Sequence, residues 1–405
     1  MANRPLHGVR VLDFTRVLSG PHATRMLCDL GADVIKVEPP EGDITRMVNP
    51  RVNGLATYFV QQNAGKRIIS LDTTKPRAVE LLLRLADQSD VLIENFRPGV
   101  MDRIGLGYAA VSAGNPGIVY ASISGYGSTG PWAARRAYAP VVGAETGITK
   151  EQGDARGGHY ANDPFSHADV YTALEAASAI LAALFNRSRT RRGDRIEISM
   201  AETMLYVNEH AHDQLWDGDV PPEWIRSFGT AAYPVLSAAN GESVVISGHP
   251  AERGTFELFM NAIGKTELID DPRFANVPLR LQHFDDLVES LREWAATIAT
   301  PQGIESVMGA QGLATGTLRS AREVCETEWA KERGVVVEVD DRGGGSVRLP
   351  NTPWRFASGD VGLRGEPRYR GEDNRSVLGE LLGVDDAELD QLEAEGVLSS
   401  RMPRR

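Results

Sequence analysis

The strongest constraint on this chain is a strand–helix–strand rhythm that repeats through its first half. Val9–Phe14 reads as a strand, Pro21–Leu30 as a helix closed by Gly31, and Asp33–Glu38 as the next strand. Ile68–Asp72, Pro76–Ala86 and Asp90–Glu94 repeat the unit, with Pro76 suited to a first helical turn, where no N–H is needed. Ile118–Ser124 and Arg195–Met200 supply two more strands. Parallel strands joined by crossover helices predict an α/β, doubly wound, Rossmann-like sheet. Ligands of such sheets lie at the carboxyl ends of the strands. Arg16–Gly20, Asn95–Arg97 and Gly125–Pro131 each follow a strand directly, so the topology can bring them together there.

At 405 residues the chain exceeds what one core usually holds, and two domains are expected. The large domain takes residues 1–216, ending in a helix over Ala201–Trp216. A linker with Pro221-Pro222 covers 217–229. Residues 230–321 form a smaller α+β domain with helices over Glu252–Ile263 and Phe284–Ile298. The segment 322–405 holds a hairpin around Gly343–Gly345 and a helix over Ala387–Glu395. A net charge of −12 argues against nucleic-acid or membrane-surface binding, and no apolar run is expected to span a bilayer. Cys28 and Cys325 lack CxxC or His-rich surroundings, so neither a disulfide nor a metal site is expected. With no signal peptide read at Met1, a reducing cytoplasm is the expected location.

Asp169 heads an apolar run to Phe185 in which Val170, Leu174, Leu181 and Leu184 recur at helical spacing. A carboxylate in the first turn of such a helix is partly desolvated and faces the positive end of the dipole, a setting for a nucleophile. The plainer reading is a capping box, since Ser166-His-Ala-Asp169 has its spacing. A dinucleotide site at the first turn fails on residues. Arg16-Val-Leu-Ser-Gly-Pro-His22 lacks GxGxxG, although Glu38 stands where a ribose-binding acid would.

Several blocks, kept in order, resemble the class III CoA-transferase family, which includes formyl-CoA transferase, carnitine CoA-transferase and α-methylacyl-CoA racemase. They are Pro5–Phe14, Leu18–Ala23, Gly31–Glu38, Lys66-Arg67, Glu94–Gly99, Asp102–Gly105, Ser124–Pro131, the Asp169 helix and Arg333–Glu338, with the likeness ending near Leu389. The resemblance implies an interlocked-ring homodimer whose C-terminal segment returns to the large domain. It implies an acyl-CoA donor and a carboxylic acid acceptor, with coenzyme A as substrate and product and no permanently bound cofactor or metal. Carried over by matching motif, Asp169 is the catalytic residue. Arg97, Arg103 and Arg136 become contacts to CoA, whose phosphates suit planar guanidinium forks. Leu71, Asp72, Thr73, Thr74, Asn95 and Phe96 line the nucleotide, and Leu18 and Ser19 lie near the thioester. Where formyl-CoA transferase has an arginine after the second strand, this chain has Pro39, with Arg46 a possible replacement.

The resemblance also bears on reaction type. Racemases of the family carry a histidine where this chain has Tyr138, and the transferases carry tyrosine. Tyrosine, with an ordinary pKa of about 10, is a poor partner for two-base proton transfer. His159 and His167 are the other nearby candidates for such a base. The expected activity is acyl-CoA:carboxylate CoA transfer through an aspartyl-acyl anhydride and an aspartyl-CoA thioester. The alternatives are an α-methylacyl-CoA racemase and a non-catalytic acyl-CoA-binding protein. The four-glycine loop of formyl-CoA transferase has no counterpart between residues 217 and 260, so formyl and oxalyl specificity is not expected.

Overall fold

Six short strands build the main sheet of the computed structural model, which describes residues 4–219 and 230–401. They are β1 (Arg10–Asp13), β2 (Asp33–Glu38), β3 (Arg67–Ser70), β4 (Val91–Glu94), β5 (Val119–Ser124) and β6 (Asp194–Ser199). All neighbours pair in parallel, in the spatial order β3-β2-β1-β4-β5-β6. Alternate side chains leave opposite faces of a strand, so Leu12, Ile35, Ile69 and Leu92 enter one core while Val11, Val34, Val91 and Ile93 enter another. Helix α1 (Ser19–Asp29) covers the second face. Helix α2 (Pro76–Asp87) covers the first with Leu81, Leu82 and Leu85, all fully buried. Burial of each such leucine stabilises the fold by about 1.5–3 kcal/mol.

Helix α3 (His167–Thr190) packs against α1 and the sheet through Ala168, Thr172, Ala173, Ala176, Ala177 and Ile180. Small side chains at helical spacing let its backbone lie close to its neighbours. Its 24 residues are long and apolar enough to cross a membrane by length and composition, which corrects the expectation that no run has that length.

The chain divides into two compact units. The first holds the sheet and gathers the chain up to Glu151, Ala161–Ala211 and the chain from Glu328 onward. Its C-terminal part seals β3, the edge strand. The amides of Ile68 and Ser70 donate to the side chains of Asp373 (2.7 Å) and Asn374 (2.8 Å). Beyond the strand, Ser399 N–H donates to Ser70 O at 3.1 Å and Asp72 N–H to Val397 O at 3.0 Å. Helices α4 (Asn374–Leu382) and α5 (Asp386–Ala394) add Val377, Leu378, Leu389 and Leu392 to the core beneath α2. A long exposed edge invites pairing with other chains, and this one is covered. The hairpin Val336–Asp340 with Ser346–Pro350 turns through Gly343–Gly345.

The second unit comprises Gln152–Tyr160 and His212–Thr327. Three antiparallel strands, Val235–Ser237, Ser243–Ile246 and Thr315–Thr317, pack with helices around Phe256, Phe259, Phe274, Leu287 and Met308. One local expectation fails. The single helix over 201–216 is two, Met200–Tyr206 and Ala211–Gln214. Between them the Asn208 side chain accepts the His210 N–H at 3.0 Å and makes a turn of its own. Ile148–Asp154 is a short helix. The linker expected over 217–229 lies, from residue 220 on, outside the described residues.

Candidate active site

The strand order reverses direction between β1 and β4, and a crevice opens there beyond the strand ends. Asn95, immediately after β4, staples the two loops: it accepts the Arg16 N–H and donates to Arg16 O, both at 2.8 Å, and reaches Ser19 Oγ at 3.3 Å. Two glycines make the close approaches possible. A Cβ on Gly20 would lie 2.2 Å from Thr15, and one on Gly125 would lie 2.2 Å from the Ala137 methyl. Below the loops, Asp13 at the end of β1 accepts from Thr15 N–H at 2.9 Å and Thr24 Oγ1 at 2.6 Å. Lys66 Nζ lies 3.2 Å from the same carboxylate, and neither side chain is exposed to solvent.

A cleft of about 430 Å³ occupies the crevice. Of the residues singled out from sequence, it brings together Ser19, Asn95, Phe96, Arg97, Arg136, Tyr138 and Asp169. Leu18 is buried beside Ser19 without lining the cleft. Leu71 is fully buried in the core, so any contact it makes with a ligand in this conformation is through its backbone. Asp72, Thr73 and Thr74 form a turn after β3, in which Asp72 accepts from Thr74 N–H at 3.0 Å and Oγ1 at 2.6 Å. That turn and the exposed Arg103 lie outside the cleft. Arg46 is already engaged, bonded to Glu38 at 2.9 Å and stacked over Phe59, and does not line it.

Asp169 is in the first turn of α3, yet Ser166 makes no side-chain cap bond, so the capping box does not form. Its carboxyl faces Ser19 instead. Burial pushes it up to about 6, while the amide and hydroxyl of Ser19 pull the other way by favouring the charged form. His167 is not free to serve Asp169: its ring bonds Asp163 at 2.5 Å and stacks on Tyr171. Tyr138 lines the cleft at 66% exposure.

Sequence reasoning placed Arg16 and Val17 in a loop at the strand ends without giving either a role, and it missed Tyr58 and Met200. Arg16, Val17 and Met200 line the cleft. The Tyr58 phenol is pushed up by burial and then by the Asp169 charge, which puts it within electrostatic reach. Arg16 follows β1 closely. Its guanidinium lies over the Phe96 ring at 5.1 Å, and its buried Nε has no partner. Among the described residues Arg16, Arg97 and Arg136 form no ion pair, so the cleft presents three guanidinium groups to a ligand.

A model described as CoA-transferase family III matches residues 6–374. The chain belongs to that family. It is 33% identical over 390 residues to a probable fatty acyl-CoA transferase of Mycobacterium tuberculosis, covering 93% of this chain and 98% of the relative. Over 403 residues it is 32% identical to succinyl-CoA:glutarate CoA-transferase of Mus musculus, covering 98% and 90%. The crystal structure of a CAIB/BAIF family protein from Brucella suis superposes with a TM-score of 0.79 at 32% identity, covering 94% of this chain and 100% of that one. As a family III CoA-transferase, the chain is an enzyme whose substrates are acyl-CoA and a carboxylate. Arg16, Arg97 and Arg136, none in an ion pair among the described residues, line the cleft together with the desolvated carboxyl of Asp169.

Proposed function

We propose that this CoA-transferase moves CoA from an acyl-CoA donor to a carboxylic acid acceptor by covalent catalysis on Asp169. The observation that carries the reading is the setting of that carboxylate: in the cleft at the strand switch, facing Ser19 and with a raised pKa. A carboxylate oxygen of Asp169 attacks the thioester carbon, the C–S bond breaks, and a mixed anhydride and CoA thiolate result. The thiolate then attacks the Asp169 carboxyl carbon, expelling the donor acid and leaving an aspartyl-CoA thioester. The acceptor carboxylate attacks that carbon and releases the thiolate again. Thiolate attack on the acceptor's acyl carbon yields the new acyl-CoA and restores Asp169. Each tetrahedral step gathers charge on an oxygen, and the Ser19 amide is the donor nearest to hand.

Desolvation strengthens the nucleophile without removing its charge at neutral pH. Only the ionised form attacks, and protonation disables it. With a pKa of about 6, kcat/KM for the acyl-CoA should be level above about pH 7. It should then fall about tenfold per pH unit in the acid range below 6. A profile flat down to pH 5 would contradict the assignment.

The direct test is hydroxylamine trapping with a panel of acyl-CoA esters, read by peptide mass spectrometry. A hydroxamate on Asp169 supports the covalent route and identifies the donor class. Absence of any adduct from an ester that binds, with solvent deuterium entering its α-carbon, would replace the reading with racemisation.

A further inference from the structure

Val17 sits at the wall of the cleft with φ of +67°, a conformation that a β-branched residue takes only when its surroundings impose it. The imposing contacts can be named one by one. Lys36 Nζ donates to Thr15 O at 2.6 Å, and Asn95 holds both backbone groups of Arg16. The Val17 N–H faces the two carboxylate oxygens of Asp43 at 3.3 and 3.4 Å. Asp43 Oδ2 is 3.2 Å from Lys36 Nζ, with the side chains 1% and 0% exposed. Its Oδ1 also accepts from the Thr45 N–H at 3.0 Å and the Thr45 hydroxyl at 2.9 Å.

Ser19 follows Val17 by two residues, so the turn at Val17 decides where the Ser19 amide and hydroxyl point. A buried ion pair can often be replaced by apolar side chains without loss of stability, so stability alone does not account for this one. We propose that the Lys36–Asp43 pair is a positioning device: it holds Val17 in the left-handed conformation and so aims Ser19 at Asp169. Its consequence for turnover rests on Asp169 being the nucleophile. The aiming itself can be read without turnover.

The variant Lys36→Met/Asp43→Leu removes both charges and the acceptor together, leaving no lone buried charge. Its first readout is the carboxyl ¹³C titration of Asp169, identified by its absence in Asp169→Asn. With Ser19 no longer aimed, the Asp169 pKa should rise by about 0.5 or more. The kcat should fall about 30-fold or more while KM for acyl-CoA changes less than about threefold. Adding Val17→Gly, which reaches positive φ without a Cβ penalty, should recover about tenfold in kcat and move the titration back. An unmoved titration, or a loss that Val17→Gly leaves untouched, would overturn the proposal. Should the double variant not fold, Val17→Gly and Val17→Ala together decide by thermal melting. Glycine should melt no lower than alanine, and a lower melting temperature for glycine would show that no left-handed conformation is imposed there. If the titration moves as expected but wild type transfers no CoA, the transferase reading fails and the positioning stands.

Discussion

Asp169→Asn should lower CoA transfer by about 10⁴-fold or more and, at pH 8, raise the melting temperature. The first effect follows from the chemistry: an amide cannot form the anhydride, and none of the other residues lining the cleft is an acid. The second follows from linkage. The folded-state pKa of about 6 lies above the ordinary aspartate value of 3.8. Such an acid contributes stability that is fully present below 3.8 and is lost as pH rises through about 6. At pH 8 the native protein therefore carries a partly desolvated charge that asparagine removes, and a gain of about 2–5 °C is expected. At pH 4 that gain should vanish. Asp169→Ala should lose as much activity, which guards against asparagine reverting by deamidation. Both variants should still bind CoA. Turnover within tenfold of wild type in either would end the nucleophile assignment, whereas an unchanged melting temperature would show that water reaches the carboxylate.

Lys66→Met should cost about 3–5 kcal/mol of stability, the range for breaking a buried pair from one side. Lys66 Nζ touches only polar partners: Asp13, Pro21 O at 3.0 Å, Thr24 Oγ1 at 2.7 Å and Asn63 Oδ1 at 2.9 Å. Burial pushes Lys66 down to about 8 although the Asp13 charge opposes it. Burial also works to raise Asp13. The Lys66 and Lys36 charges and the Thr15 and Thr24 hydroxyls outweigh it and hold Asp13 below the ordinary carboxylate range. Methionine would leave the buried Asp13 carboxylate with its Thr15 and Thr24 hydrogen bonds but with Lys36 as its remaining cationic partner. Urea unfolding should show the full loss, with a fall in melting temperature on the order of 10 °C. Lys66→Met/Asp13→Asn, which strands no charge, should recover most of it. A single-variant loss below about 1 kcal/mol would mean that the site relaxes enough to admit water.

The strands and the Asp169 helix were legible because their signals are local. Val11-Leu12, Ile68-Ile69 and Val91-Leu92-Ile93 read as buried strands from neighbouring residues alone, and the helix after Ser166 from its period. The cleft residues Ser19, Asn95 and Phe96 were legible because the loops that carry them follow strands directly. What remained hidden depends on distance or on conformation. Lys66 and Asp13 are 53 positions apart, and nothing near either announces the other. A valine carries no sign of a positive φ, so the turn at Val17 was invisible. Asp72 to Thr74 illustrate the reverse: motif matching named them, and the fold keeps them out of the cleft that holds Asp169. The break after Tyr206 was missed because the apolar period continues across it while the Asn208 side chain ends the helix.

The seal on β3 also sets an order of events in the life of the chain. The hydroxyls of Ser70 and Ser399, 3.2 Å apart in the folded protein, are separated by 329 positions in sequence. A ribosome adding about 5–20 residues per second takes roughly 16–66 s to travel between them. Through that interval the first strands can form and pair, but the outer amides of β3 have no partner, because Asp373 and Asn374 have yet to be made. The edge stays open until the segment from Asp373 to Ser399 has been made, so the nascent chain is most exposed to mispairing before that segment emerges.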